Sequence, residues 1–300
     1  MKILFTFPGQ GGQRPGMLAM IPDREAILTQ ARAVLGDEVA TLDSADALQH
    51  TRAVQLCLLI AGVAWARELQ RQGVDPQMVS GLSIGAFPAA VIAGALDFAS
   101  ALRLVALRGD LMEQAYPEGY GLTAIMGLTR PRVEALMQGH EVYLANLNAE
   151  TQFVIAGRDE AMAEVAQLAL RAGASKAQRL AVSVPSHCAL LDKPAAELAK
   201  AFAGASLRRP WCAYLSGSTA RVLWDPQRIA DDLAMNMARP VHWQEAMVAA
   251  DERDARLAIE MPPGGVLTCL TRQAGWRGET IALERSGLDV ARHLAQRLSD

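Results

Sequence analysis

Alternating apolar and polar segments in the first third of the chain predict an α/β arrangement. Residues 2–7 form an apolar run that predicts a first buried β-strand and ends at a glycine-rich loop. Residues 53–72 carry apolar side chains at helical spacing, which stops at Gly73. A short strand is predicted at about 77–81, followed by a glycine-flanked turn and another helix. The pattern is therefore strand, sharp turn and helix.

The apolar stretch from Ala86 to Leu107 is long enough to raise the question of a membrane span. Asp97 and Arg103 interrupt it, so no uninterrupted apolar run approaches the roughly 20 residues that a transmembrane helix needs. We expect two buried, alanine-rich helices that meet near Leu96–Asp97, and no membrane association.

Residues 122–187 show a different pattern, in which shorter predicted elements follow the order β-α-β-β-α-β. The predicted strands are LTAIMGL, EVYLANLN, TQFVIAG and KAQRLAVSVP, and the predicted helices are PRVEALMQG and RDEAMAEVAQLALRAG. This order is that of a ferredoxin-like unit. We predict a small ferredoxin-like domain at 122–187, inserted in a large α/β domain made of residues 1–121 and 188–300.

The C-terminal segment returns to longer α/β elements. LAIEM at 257–261 predicts a buried strand, and PPGGVLTCLTRQ predicts a turn that leads into a helix. IALER predicts a last strand and LDVARHLAQRLS a last helix.

Composition adds limits on function. The 300 residues carry a formal net charge of −3, so the basic face typical of nucleic-acid binding is not expected. The apolar run at the N-terminus is shorter than the roughly 7–15 residues of a secretory signal. The four cysteines are far apart and form no CxxC pair, so we expect neither a metal site nor a disulfide framework. They predict reduced thiols in a cytoplasmic protein. The cysteines are Cys57, Cys188, Cys212 and Cys269.

The turn GLSIG at 81–85 is the first candidate for chemistry. It matches G-x-S-x-G, in which glycines on both sides allow a strained strand-to-helix turn to present a nucleophilic serine, here Ser83. A glycine turn with a passive serine remains the alternative.

A nucleophilic serine needs a general base, and His187 is the strongest candidate among the five histidines. It follows a predicted strand and Pro185 at the junction of the two predicted domains, where clefts form. A structural, hydrogen-bonded histidine remains the alternative. The role of His242 is less clear from the sequence. The other three histidines lie in polar or amphipathic surroundings that are typical of solvated side chains. They are His50, His140 and His293.

Two further features suit acyl transfer. The loop FPGQGGQ at 7–13 matches neither a dinucleotide fingerprint nor a P-loop, so its N–H groups are candidates for an oxyanion site or belong to an ordinary turn. Arg108 lies in a mostly apolar stretch, where a buried guanidinium needs a carboxylate. That carboxylate belongs either to a substrate or to nearby Asp110 or Glu113.

Seven segments in order resemble the malonyl-CoA:acyl carrier protein transacylase family over nearly the whole chain. They are FPGQGGQ at 7–13, GLSIG at 81–85, LRGDLM at 107–112, LANLN at 144–148, VPSHC at 184–188, RPVHW at 239–243 and IEMPPGGVLTCLT at 259–271. The resemblance implies an α/β-hydrolase-like large domain, a ferredoxin-like small domain and a cleft between them.

The resemblance also implies a ping-pong transfer of a malonyl group to an acyl carrier protein with a CoA-derived thiol arm, with malonyl-CoA as substrate and no metal or other bound cofactor. The implied roles are nucleophile for Ser83, general base for His187, oxyanion N–H donors for Gln10 and Ile84, carboxylate recognition for Arg108, and a main-chain carbonyl that orients the histidine for Asn236. The family commonly has glutamine at this last position, so only the carbonyl role carries over.

The elbow departs from the usual family pattern. Leu82 stands in place of a histidine, and Ile84-Gly85-Ala86 in place of Leu-Gly-Glu. This altered flank resembles the epsilon (transacylase) subunit of malonate decarboxylase, the interpretation we favour from sequence, with other decarboxylase subunits as partners. The alternatives are a housekeeping transacylase of fatty-acid synthesis, a serine esterase, and a non-catalytic carrier-binding subunit.

Overall fold

The computed structural model describes residues 1–116 and 118–299, and their strands form two sheets. The strands are β1 (Lys2–Phe7), β2 (Met78–Gly81), β3 (Tyr120–Met126), β4 (Val142–Ala149), β5 (Gln152–Arg158), β6 (Lys176–Arg179), β7 (Ala213–Leu215), β8 (Val222–Leu223), β9 (Ala255–Glu260) and β10 (Glu279–Ala282).

Helices pack against both sheets. They are α1 (Arg24–Leu35), α2 (Thr51–Arg71), α3 (Ala86–Ile92), α4 (Phe98–Ala115), α5 (Arg130–Met137), α6 (Asp159–Arg171), α7 (Asp192–Ala201), α8 (Pro226–Met235), α9 (Trp243–Glu252), α10 (Val266–Gln273) and α11 (Leu283–Ser299). Short 3₁₀ turns link several of them, including 83–85 and 236–238.

The larger sheet has the order β10-β9-β1-β2-β7-β8. Its strands pair in parallel except β8, which pairs antiparallel with β7 at one edge. Central β1 is buried from Ile3 to Phe7 because helices cover both faces, which explains its continuous apolar run. Phe7 pairs with Gly81 and Thr6 with Glu260, so the loops after β1, β2 and β9 leave the sheet at the same edge. In parallel sheets this carboxyl edge is where sites are built.

The smaller sheet is antiparallel, with the order β4-β5-β3-β6. Its chain order is the predicted β-α-β-β-α-β, and the α/β fold class is confirmed. The domain boundaries at 121/122 and 187/188 stay a prediction. β4 attaches this sheet to the rest of the molecule, since the N–H of Leu147 donates to the carbonyl of Val241 at 2.8 Å. Val241 lies two residues beyond Arg239, beside the 236–238 turn.

Two predicted strand ends are wrong. The strand predicted over 176–185 stops at Arg179, because the Arg179 guanidinium donates to the carbonyls of Leu180, of Val182 at 2.8 Å and of Tyr120 at 2.8 Å. This arginine thus bends the chain away from the sheet before His187. The strand predicted at IALER is shorter, since β10 ends at Ala282 and α11 begins at the next residue.

The break predicted near Leu96–Asp97 is confirmed. α3 ends at Ile92 and α4 begins at Phe98, with the Asp97 carboxylate accepting from the Ser100 N–H at 2.8 Å. This is an ordinary N-cap. Within 1–116 and 118–299, no helix combines the length and apolarity that crossing a membrane requires.

We predict that Gly85→Ala strongly destabilises the protein. A Cβ on Gly85 would lie 2.1 Å from the Phe7 carbonyl oxygen, so β1 and the elbow would have to separate. We expect the free energy of unfolding, measured with urea, to fall by about 3 kcal/mol or more. Gly204→Ala is the matched control, because a Cβ there meets nothing within 4 Å. Equal stability of the two variants would contradict the tight packing of the elbow.

Candidate active site

Ser83 sits on a strained turn at the carboxyl end of β2. Its φ of 57° lies in the left-handed region that non-glycine residues rarely adopt. The N–H of Leu82 donates to the Phe7 carbonyl at 3.0 Å, and a Cβ on Gly81 would lie 2.0 Å from the Gly85 carbonyl carbon. Only glycine fits at these flanks. The turn therefore has the geometry of a nucleophile elbow, and not of a loose glycine turn.

The loop after β1 packs directly on this elbow. A Cβ on Gly9 would lie 2.9 Å from Leu82 Cδ2 and 3.7 Å from Ser83 Cβ, so Gln10 follows a residue in contact with the nucleophile turn. The Gln10 Oε1 accepts from the Gln55 Nε2 at 3.4 Å. Ile84, the residue after Ser83, is fully buried and begins the turn into α3. Ile84 thus directly follows Ser83, and Gln10 lies in the loop that packs on the elbow.

The Arg108 side chain projects from α4 into the same site and is fully buried. Its Nη1 donates to Gln55 Oε1 at 2.7 Å, and its Nη2 donates to Asn236 Oδ1 at 2.9 Å and to Ser83 Oγ at 3.2 Å. All three acceptors are neutral.

The suggested salt bridge of Arg108 to a neighbouring carboxylate is wrong. Asp110 pairs with Arg52 at 2.6 Å, and Glu113 pairs with His50 at 2.7 Å. α4 points these carboxylates to a different side of the helix from Arg108, where they hold the start of α2. The Glu113 carboxylate also accepts from the Thr51 N–H at 2.9 Å.

The Arg108 charge is therefore uncompensated by any carboxylate within hydrogen-bond reach among the described residues. The Arg108 Nε is buried and has no hydrogen-bond partner within residues 1–116 and 118–299. Desolvation lowers the pKa of Arg108 to about 9, which still leaves the guanidinium protonated at neutral pH. A buried cation with an unused donor suits a ligand that brings its own carboxylate.

His187 is buried beside the 236–238 turn and also has a positive φ, 66°. Its N–H donates to the Met237 carbonyl at 2.6 Å, and its Nδ1 lies 2.8 Å from the Asn236 carbonyl oxygen and 3.2 Å from that of Arg239. A carbonyl only accepts, so Nδ1 carries the proton and Nε2 is left as a base. Burial and the nearby Arg108 charge lower the pKa of His187 to about 4, so the ring is neutral at pH 7.

Asn236 links these groups through its side chain as well as its carbonyl. Its Nδ2 donates to the Ser83 carbonyl at 3.2 Å while its Oδ1 accepts from Arg108. This contact and the Gln55 contact are the parts of the site that the sequence analysis missed. Gln55 carries a recognisable signal, because it is a polar residue on the apolar face of α2 and is fully buried.

The remaining histidines lie elsewhere. His50 contacts Glu113, His140 contacts Glu164 at 3.2 Å, and His242 contacts Glu245 at 3.4 Å. Among the departures at the elbow, Leu82 is half-buried and Ala86 is buried. Leu82 packs against the apolar cluster that contains Val241 and Trp243, and Ala86 is buried in the main core.

A serine elbow in an α/β fold, linked through Arg108 and Asn236 to a neutral buried histidine, is typical of acyl-transfer enzymes. The chain belongs to the acyl transferase domain family, whose model matches residues 4–283, and it is an acyltransferase. It is similar to the malonyl CoA-acyl carrier protein transacylase of Escherichia coli K12, with 37% identity over 285 residues that cover 91% of this chain and 92% of that protein. The Bacillus subtilis transacylase of the same name is 33% identical, and the match covers 94% of this chain and 93% of that protein.

Solved structures agree with this assignment. The acyl-carrier-protein S-malonyltransferase from Burkholderia pseudomallei superposes with a TM-score of 0.91 at 33% identity, covering 98% of this chain and 100% of that one. A malonyl-transacylase in complex with a type II PKS acyl-carrier protein gives a TM-score of 0.91 at 34% identity, covering 98% and 99% of the two chains.

We predict that His187 makes stability depend on pH. Its pKa is about 4 in the folded protein and 6.5 as the ordinary value, so between these pH values the unfolded state binds more protons. Stability from this group is complete above pH 6.5 and is lost progressively as pH falls from 6.5 to 4. The free energy of unfolding should fall by about 2 kcal/mol more between pH 7 and pH 5 in the wild type than in His187→Gln. Equal losses by urea titration would show that His187 is not buried in neutral form.

Proposed function

We propose that this chain transfers a malonyl group from malonyl-CoA to the thiol of an acyl carrier protein, in the cytoplasm. The observation that supports this proposal most strongly is the position of the fully buried Arg108. Its Nη2 lies 3.2 Å from Ser83 Oγ, and its charge has no carboxylate within hydrogen-bond reach among the described residues. A malonyl group has a carboxylate two bonds from its thioester carbonyl. Bound to Arg108, that carboxylate holds the carbonyl beside the serine.

In the first half-reaction, His187 Nε2 takes the proton of Ser83 Oγ as the oxygen attacks the thioester carbon. The N–H groups of Gln10 and Ile84 donate to the developing oxyanion. Each such donor contributes a factor of roughly 10²–10³ in well-studied hydrolases. The C–S bond then breaks, the CoA sulfur takes the proton from His187, and Ser83 carries a malonyl ester.

In the second half-reaction the carrier thiol repeats the attack. His187 removes the thiol proton, the sulfur attacks the ester carbon, and the proton returns to Ser83 Oγ as the C–O bond breaks. The transfer is therefore ping-pong and uses only side chains and main-chain groups of this chain, with no resident cofactor.

Arg108 supplies selectivity for a carboxylated acyl group. An acetyl group offers the guanidinium no charged partner, so Arg108 keeps only its neutral acceptors. A malonyl carboxylate instead accepts charge-assisted hydrogen bonds from Arg108. A site built for a polar group discriminates strongly against the analogue that lacks it.

The carrier is proposed from the relatives. Those named above are malonyl CoA-acyl carrier protein transacylases, and one neighbour is in complex with an acyl-carrier protein. They favour the housekeeping alternative over the malonate decarboxylase role that we favoured from sequence. The decarboxylase carrier, with its different CoA-derived arm, stays a second candidate because of Leu82 and Ala86 at the elbow.

We predict that malonyl-CoA acylates Ser83 within a short incubation, and that acetyl-CoA does so far more slowly. Intact-protein and peptide masses measure the adduct, with Ser83→Ala as the blank. Arg108→Ala should slow malonyl loading by about 100-fold or more, because a charge-assisted pair is lost. Arg103→Ala is the control, since Arg103 lies on the same helix but is exposed.

Three outcomes would contradict the proposal. Free malonate released without a carrier would favour an esterase. No adduct and no malonate would favour a non-catalytic carrier-binding subunit. Equal loading by both acyl-CoA compounds would exclude the role given to Arg108.

The carrier can be identified in a second step. Isolated malonyl-Ser83 protein is mixed with an acyl carrier protein bearing a phosphopantetheine arm, and separately with a malonate decarboxylase carrier bearing its own CoA-derived arm. We expect rapid transfer to the first, measured by the mass of the carrier. Transfer to the second carrier alone would reverse the assignment and restore the decarboxylase role.

A further inference from the structure

The Asn236 residue contacts all three groups on which the proposed reaction depends. Its main-chain carbonyl accepts from His187 Nδ1 at 2.8 Å. Its side-chain Oδ1 accepts from Arg108 Nη2 at 2.9 Å, and its Nδ2 donates to the Ser83 carbonyl at 3.2 Å. The residue itself is buried, so these contacts are shielded from water.

The partners fix the orientation of the Asn236 carboxamide. A guanidinium can only donate, and a main-chain carbonyl can only accept. The amide oxygen must therefore face Arg108 and the amide nitrogen must face Ser83. No other orientation of the amide satisfies both neighbours, and a carboxylate in its place would face the Ser83 carbonyl without a proton to donate.

The acceptors around Arg108 share one property, which is that they carry no charge. Gln55 and Asn236 present amide oxygens at 2.7 and 2.9 Å, and Ser83 presents its hydroxyl at 3.2 Å. Amides hold the guanidinium in place without neutralising it. A carboxylate at either position would form an internal ion pair and compete with an incoming carboxylate for the same donors.

We propose that the Asn236 side chain is a positioning residue that sets selectivity for carboxylated acyl groups. It holds the Arg108 guanidinium over Ser83 while leaving the positive charge available, a role that rests on the proposed malonyl transfer. It is distinct from the role of the Asn236 main-chain carbonyl, which any residue at this position supplies.

The test compares Asn236→Asp with Asn236→Gln. Aspartate matches asparagine in size but pairs with Arg108, whereas glutamine keeps a neutral amide. The rate of Ser83 acylation is measured by intact mass with malonyl-CoA and with acetyl-CoA. We expect the ratio of malonyl to acetyl loading to fall roughly 30-fold in Asn236→Asp, and to stay within about threefold of wild type in Asn236→Gln.

Two controls separate this role from a merely structural one. An uncharged fluorophosphonate reacts with the nucleophile without using Arg108, so Asn236→Asp should lower the rate of Ser83 labelling by a much smaller factor than the rate of malonyl loading. Loss of labelling together with equal loss of both acyl substrates would show that Asn236 only supports the elbow, and would overturn the inference.

The remaining outcomes are also decisive. An unchanged malonyl-to-acetyl ratio in Asn236→Asp, with wild type loaded by malonyl-CoA, overturns the role of Asn236 and leaves the proposed function intact. A wild-type protein that malonyl-CoA does not load overturns the proposed function, and the Asn236 role with it.

Discussion

The buried guanidinium of Arg108 is the group around which the site is organised. A buried cation without a carboxylate is unfavourable, since desolvation opposes its charged form. The fold offsets this with neutral acceptors from three separate places: Gln55 on α2, Ser83 at the elbow, and Asn236 after α8. Because the acceptors come from distant parts of the sequence, the arginine can be held only when the whole α/β body has assembled. The recognition of a carboxylate that we propose for Arg108 thus depends on the tertiary fold.

Backbone strain at Ser83 and His187 depends on the same assembly. Both have positive φ, which costs of order 1–3 kcal/mol for a residue other than glycine. The strain at Ser83 is held by close packing of Gly81 and Gly85 against their neighbours, and that at His187 by the hydrogen bond of its N–H to Met237. The two strained residues are 104 positions apart in sequence (187 − 83). Arg108 and Asn236 form the chain of hydrogen bonds between them, so the proposed nucleophile and the proposed base are held by one network.

Sequence patterns predicted the parts of this protein that local physics determines. The apolar run of β1, the break at Asp97 and the glycines around Ser83 follow from periodicity, capping and steric limits. The early end of β6 could not be predicted, because it depends on which carbonyls the Arg179 side chain reaches. Likewise, the partners of Arg108 were open between Asp110, Glu113 and a substrate, since the direction in which α4 points each side chain is settled only by packing. Gln55 and the Asn236 side chain were missed for the same reason.

The departures at the elbow pack against apolar side chains, and this bears on the choice of carrier. Leu82 contributes to an apolar cluster with Val241 and Trp243, and Ala86 is buried in the core beside Phe87. Ala86 is buried, so a carrier protein cannot contact its side chain, whereas Leu82 is half-buried. Ala86 therefore acts on how the elbow packs, since an apolar contact stands where a glutamate would bring a charge. In the proposed function, exposed residues recognise the carrier and the buried Arg108 recognises the acyl group, so the two kinds of recognition can diverge independently. An altered elbow is accordingly compatible with the acyl carrier protein partner that the relatives indicate.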